Sequence, residues 1–474
     1  MIVALLSSIS VAQAGYLDRV DLVELDSSFS SGTQQQVSEQ AWWLSFGDSE
    51  LDSLVRSGLD QNFALAASSS RVAVAEAQAW TALSPMLPSA SVDFAHQIKP
   101  CPEIGFAICD FSIPIDPATG QPSQATPDTY SQGSLYLNAG LQVDIWGARW
   151  NSAKASRLEA AASEGDRDAQ AILVSAQVAN AWFDVLTARE QLRITEQQLQ
   201  LNTDLLEVVQ MNYEQGVGTS VDVLQQRQSL ASVQTNLPTA RVQVMLQEQQ
   251  LAILLGQDPS QPLGLPESVL PDLPAQPNVG SPELLWETRP DLRAQAARVE
   301  AAERREKASR RAVLPTVGVN AQTGYSYQDV LEMESQQQWT VGAQVSVPLL
   351  SGGANAANLS LARAQTDAAV NGANNAYLSA VGEVESALAR ERAAALGLEA
   401  ARVQASAAEQ SYQAALAEYV NGHGNYLQMG QVLGAYYAAE IGALSAHRNL
   451  LSSRITLHQA LGGAWTTTWT ESTP

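Results

Sequence analysis

The stretch Ser134–Gly147, SLYLNAGLQVDIWG, decides how this chain is read. Leu135, Leu137, Ala139, Leu141, Val143 and Ile145 alternate with Tyr136, Asn138, Gly140, Gln142 and Asp144. Successive side chains of a strand point to opposite faces, so this spacing builds one apolar face and one polar face. A run of about ten such residues is what a tilted strand needs to cross a bilayer. Three more segments repeat the pattern. Ala90, Val92 and Phe94 alternate with Ser89, Ser91 and Asp93, and Val317, Val319 and Ala321 with Gly318, Asn320 and Gln322. Trp339, Val341, Ala343, Val345 and Val347 alternate with Thr340, Gly342, Gln344 and Ser346. A sandwich strand packed on a core alternates in the same way, but these segments flank very long helical runs that leave little to pack against. A closed barrel needs about eight strands. An open edge in lipid leaves backbone groups unpaired. If these strands enter a membrane, several chains must pool them.

The helical runs carry a second period. From Ala380 onward, Val384, Ala387, Glu391, Ala394, Leu398, Ala401, Ala405, Ala408, Tyr412, Ala415 and Tyr419 keep a 4-3 spacing, the seam of a coiled coil. Ile172, Ala176, Ala179, Phe183 and Leu186 repeat it earlier. Alanine at the seam lets helix backbones approach closely. Both runs break at short glycine segments: Gly216, Val217, Gly218, Thr219 and Ser220 in the first, and Gly422, His423, Gly424 and Asn425 before Tyr426 in the second. Helix C-caps account for glycines at such points. They do not account for matching placement in two long rods, so the tips are read as docking points for a partner. His423 is read as a contact residue there rather than a ligand.

These matches make the chain two copies of one unit. Leu87-Pro88 returns as Leu314-Pro315, 227 residues on, and Asp144-Ile145-Trp146-Gly147 is answered by Pro348-Leu349-Leu350-Ser351 at 204. Tyr213 to Gly216 is answered by Tyr419 to Gly422, and Leu255-Gly256 by Leu461-Gly462, both at 206. The fall in offset places an insertion in the first strand pair, an outer loop over about 99–132. That loop holds Cys101 and Cys109, either bonded locally or free; export favours the bond. The second loop is shorter, about 328–338.

Composition removes other classes. Hydrophobic residues are 45%, with aromatics only 6%, too few to fill three ordinary cores in 474 residues. The net charge of −23 opposes the cationic footprint that nucleic-acid binding requires. Ile2 to Val11 followed by Ala12-Gln13-Ala14 reads as a cleavable export signal, although no Lys or Arg precedes Arg19. No later stretch reads as an apolar membrane-spanning helix. His96, His423, His447 and His458 form no metal or protease motif, and no phosphate loop or nucleophile elbow occurs. The expectation is no enzyme, no metal and no cofactor.

The fold class expected is mainly α with membrane β, built from long antiparallel helical hairpins and four strands. Its segments are a signal over 1–14, an N-terminal segment and helix over 15–83, a β-hairpin over 84–146 and a helical hairpin over 147–256. A proline-rich linker over 257–290, a helix over 291–313, a β-hairpin over 314–352, a helical hairpin over 353–463 and a tail over 464–474 follow.

At this point the residues resemble a family, the TolC-like outer-membrane efflux proteins, in the branch serving resistance-nodulation-division pumps. Trp42-Trp43, Phe46, Asp48, Leu51 and Leu54 match its N-terminal pattern, and Arg289-Pro290-Asp291-Leu292 its opening of the second copy. Asp144 to Gly147 and Pro348 to Gly353, including Gly352, match its strand–helix turns, which Pro88 and Pro315 precede on the other strands. Leu461-Gly462-Gly463-Ala464-Trp465 resembles its closing motif. The resemblance implies a homotrimer whose twelve strands form one outer-membrane barrel and whose helices form a periplasmic tunnel. It implies lipid around the barrel, a periplasmic adaptor at the tips and an inner-membrane pump beyond it. Opening would untwist the helices like an iris. Family members commonly carry an Asp, and three residues on an Arg, where this chain has Gln431 and Gly434; Asp222 keeps an acidic position in the first copy. The expected constriction therefore rests on Tyr419, Tyr426 and Leu427 rather than on a charge latch. A type I protein-secretion channel and a non-conducting periplasmic scaffold are the alternatives.

Overall fold

A computed structural model describes residues 28–30, 41–100, 118, 129–329, 336–421, 423–463 and 465–466. The signal segment, Cys101, Cys109 and Gly422 lie outside the described residues. The chain divides into two compact units, one of Met1–Ala73, Ala161–Ala297 and Val370–Pro474, the other of Val74–Ala160 and Arg298–Ala369.

The second unit contains the sheet. Strands β1 (Ser89–Pro100), β2 (Thr129–Val143), β3 (Thr316–Asp329) and β4 (Gln336–Ser346) form an antiparallel meander in the order β1-β2-β3-β4. Register decides its chemistry. Val92 lies opposite Leu137 and Leu137 opposite Thr323, while Ala139, Ala321 and Val341 form another row and Leu141, Val319 and Ala343 a third. Within the strands the alternating apolar positions therefore fall on one face, and Asn138, Gln142, Asn320 and Gln344 fall on the other. Phe94 is 72%, Trp339 75% and Val341 67% exposed, so the apolar face lies uncovered in the single chain.

β1 and β3 run well past the alternating residues, because backbone pairing continues where the side-chain pattern fades. Gly133 leaves the room that the Tyr327 ring occupies, and Gly324 allows Tyr136 to lie against β3. Asp144 and Ile145 depart from the strand expected of them. Ile145 N–H already turns back to the Val143 carbonyl (3.1 Å), and Asp144 Oδ2 accepts from Trp150 N–H (2.8 Å) at the start of the next helix. Val347 likewise lies beyond β4.

The helices are α1 (Ser49–Gln61), α2 (Phe63–Leu83), α3 (Ala148–Glu214), α4 (Ser220–Leu254), α5 (Pro290–Arg311), α6 (Ala354–Val420) and α7 (Tyr426–Leu461). α3 and α6 each have 67 residues, about 100 Å at 1.5 Å per residue. Their starts lie 206 residues apart, as do those of α4 and α7. This corrects the offset of 204 assigned to the strand–helix turns: Gly147 (φ 72°) is answered by Gly353 (φ 85°). The seam is real at both ends. Ala380, Val384, Ala387, Leu398, Tyr412 and Tyr419 are buried, as are Ile172, Ala176, Ala179, Phe183 and Leu186. One 18-residue window of α3 reaches a mean hydropathy of 1.3, more apolar than the sequence reading allowed. It is 72% buried within the protein, as a core helix is.

In the first unit the N-terminal motif forms a core. Asp48 caps α1, accepting from Glu50 N–H (2.9 Å) and Leu51 N–H (3.1 Å), and its second oxygen takes the buried Trp182 indole N–H (2.8 Å). Trp42 stacks on His458 at 5.3 Å, and Trp43 meets Trp465 edge-on at 4.9 Å. The residues from Gln257 to Ser281 have neither helix nor strand. They are nevertheless held fast: Arg454 donates to the Pro274 and Ala275 carbonyls (2.6 and 2.8 Å) and forks onto Glu391 (2.8 Å twice). That pair explains a carboxylate within an alanine seam. The linker ends earlier than 290, since a helical turn occupies Leu285–Thr288 and Pro290 begins α5.

Candidate functional site at the helical tips and the sheet

Both tips are built by the same turn. At the first, the Val217 and Gly218 N–H groups donate to the Asn212 carbonyl (2.9 and 3.0 Å); at the second, the His423 and Gly424 N–H groups donate to the Glu418 carbonyl (3.0 Å each). Donors and acceptors correspond at an offset of 206. Gly216 takes φ 74°, a conformation that a side chain disfavours. A Cβ on Gly218 would lie 3.3 Å from the Tyr213 nitrogen, and one on Gly424 2.8 Å from the Tyr419 nitrogen. Glycine is needed because backbone passes close by. The following helices are capped at matching residues. Thr219 and Asp222 form a capping box (2.8 and 3.3 Å), and Asn425 Oδ1 accepts from Leu427 N–H (2.8 Å). Val217 stands 63% exposed in the first tip, and His423 and Asn425 are exposed in the second.

Behind the tips the two hairpins share a core of Leu205, Val209, Val223, Tyr412, Tyr419, Tyr426, Met429 and Leu433. Tyr419 and Tyr426, expected at the constriction, are buried in this core. Each ring is too apolar to remain in water when a helix seam can take it. Burial pushes the Tyr426 phenol up to about 12, with Tyr419 and Asp222 adding to the shift, so its proton stays in place. That hydroxyl donates to Gln226 Oε1 (2.9 Å), and Gln226 Nε2 donates to the Asn202 carbonyl (2.8 Å). Ser229 donates to Asn202 Oδ1 (3.0 Å). This buried polar link between hairpins escaped the sequence reading, because Gln226 and Asn202 stand among many glutamines and asparagines with no pattern to mark them. Asp222 also serves the cap: its carboxylate accepts from Thr219 N–H. Leu427, Gln431 and Gly434 do share one exposed face of α7, at spacings of four and three.

At the strand–helix turns, Pro88 precedes β1, Pro315 precedes β3 and Pro348 follows β4. The Trp146 indole N–H donates to the Pro315 carbonyl (2.7 Å), tying the end of β2 to the start of β3. Gly147, Gly352 and Gly353 all take positive φ where chain leaves a strand and enters a helix. Among the described residues no group of three His, Cys, Asp or Glu side chains could hold a metal ion.

Two uncovered surfaces thus stand out, an apolar sheet face and paired helical tips, and known proteins show the same combination of sheet and long helices. The profile described as outer membrane efflux protein matches residues 54–257 and 282–463. The pyoverdine export outer membrane protein OpmQ of Pseudomonas aeruginosa is 26% identical over 426 residues, 90% of this chain and 87% of that protein. The toluene efflux pump outer membrane protein TtgF of Pseudomonas putida is 27% identical, covering 96% of this chain and 91% of its own length. The crystal structure of the outer membrane protein VceC from Vibrio cholerae superposes with a TM-score of 0.76 at 22% identity, over 91% of this chain and all of that one (100%). With most of its length matched by one profile, this chain belongs to the outer membrane efflux protein family and has its TolC-like fold.

Proposed function

We propose that the chain is the outer-membrane exit duct of a tripartite efflux system, working as a homotrimer. Three four-stranded sheets pool into one barrel, apolar face to lipid and polar face to the bore, and the long helices enclose a periplasmic tunnel. One observation carries this reading: a sheet with two open edges leaves Phe94, Trp339 and Val341 uncovered on a continuous apolar face. Lipid satisfies that face, and only sibling chains satisfy the edges. The duct carries out no covalent step in this reading. The tips, Gly216 to Ser220 and Gly422 to Asn425, dock a periplasmic adaptor, which joins them to a pump of the resistance-nodulation-division type.

Leu427, Gln431 and Gly434 line the inner end of the bore, with Tyr419, Tyr426 and Asp222 setting the helices behind them. Opening moves one hairpin against the other, and the Tyr426–Gln226 bond resists that movement. Small-molecule cargo is favoured over secreted protein, because the names of the relatives OpmQ and TtgF refer to pyoverdine and toluene.

Purified protein in a planar bilayer tests the duct. The expected result is a detergent-extracted trimer giving discrete conductance steps. A water-soluble, non-conducting monomer would overturn the proposal in favour of a periplasmic scaffold.

A further inference from the structure

Just where β2 hands over to α3, an open cavity of about 430 Å³ lies against the sheet. Gln142, Asn320 and Gln344 line it, all from the polar face, and Gly140 and Gly318 widen it by presenting no side chain. Arg149 is the one charged side chain lining it among the described residues. Its guanidinium donates to the Gln142 amide oxygen, a neutral partner that leaves the positive charge uncompensated. The nearest acid in sequence, Asp144, directs its carboxylate to Trp150 N–H at the helix start. Asp93, the acid on the same sheet face, is held by the Asn138 amide farther along the strands.

We propose that Arg149 is a specificity-determining residue for anions, setting a ring of positive charge across the bore where barrel meets tunnel. The inference rests on the homotrimeric duct above, in which the polar face lines the passage. The residue 206 positions on is Asn355, so the second copy does not repeat the arginine, and a trimer carries three copies of Arg149. A single-sign ring in a narrow passage with low-dielectric walls concentrates counter-ions. The chain as a whole carries −23, so elsewhere the field repels anions. Arg149 lowers that barrier for small solutes bearing carboxylate, phosphate or sulfonate groups. Arginine suits the task, because its charge does not titrate and its planar fork of N–H groups donates to such oxygens.

Full-length protein reconstituted in a planar bilayer under a KCl gradient reads this as a reversal potential. Arg149→Gln should raise the ratio of potassium to chloride permeability by about threefold, as expected for removing three unit charges near a water-filled bore. Asn355→Arg should move the ratio the other way by adding a second ring at the repeat-related position. This second variant keeps the proposal testable if Arg149→Gln does not assemble. Conducting variants with the reversal potential of the unaltered protein would overturn the role of Arg149 while leaving the duct intact. Absence of conductance in the unaltered protein would remove the duct reading, and this inference with it.

Discussion

His458 shows how much a single side chain can set in the first unit. It is stacked on Trp42, and its Nε2 has no hydrogen-bond partner among the described residues. Burial, reinforced by the Arg454 charge, lowers its pKa from 6.5 to about 3. Folding therefore favours the neutral ring, and the unfolded chain binds the extra proton. Stability from this residue is complete above pH 6.5 and is lost as pH falls from there towards 3. His458→Phe keeps an aromatic ring on Trp42 and removes the titration. Thermal melts across that range should show a shallower acid slope for the variant, whereas an identical slope would mean that other groups govern acid unfolding.

At the scale of elements, alanine seams and glycine tips solve one problem twice. Along rods of 67 residues, small buried residues such as Ala176, Ala179, Ala380 and Ala387 share the seam with bulky ones such as Phe183, Tyr412 and Tyr419. Each rod must then reverse within a few residues, and the chain turns beneath its own last helical turn. The two tips differ in how tightly they do so, 2.8 Å at Gly424 against 3.3 Å at Gly218 for an added Cβ. Gly424→Ala should therefore destabilise its tip by about 1–3 kcal/mol, as overpacking against fixed backbone does, and Gly218→Ala by less. Limited proteolysis at the tips would rank them; equal cleavage would show that the backbone yields at both.

For the molecule as a whole, the two faces of the sheet make opposite demands. Val341→Arg places a charge on the face assigned to lipid and should cost about 2–4 kcal/mol near mid-membrane. Thr340→Arg, its neighbour on the polar face, should be tolerated. Yield of heat-resistant oligomer from outer-membrane fractions separates them, and equal yields would reverse the assignment of faces.

What could be read along the chain was whatever repeats locally. Alternation in Leu135 to Val143, the 4-3 seam from Ala380 to Tyr419, the paired glycine tips and the turns at Gly147 and Gly353 are all set by neighbours a few residues apart, and their periods survive without the fold. The strand ends faded from view because Ala95 to Pro100 pair through backbone, which carries no side-chain signal. Contacts across great sequence separation were hidden for a different reason. Asp48 meets Trp182, Glu391 meets Arg454, and Tyr426 meets Gln226 only when separate helices pack, and nothing in the local sequence names the partner. The inward course of Tyr419 and Tyr426 belongs to this group. A helix period marks them for a seam, but only the hairpin opposite supplies the residues that bury them.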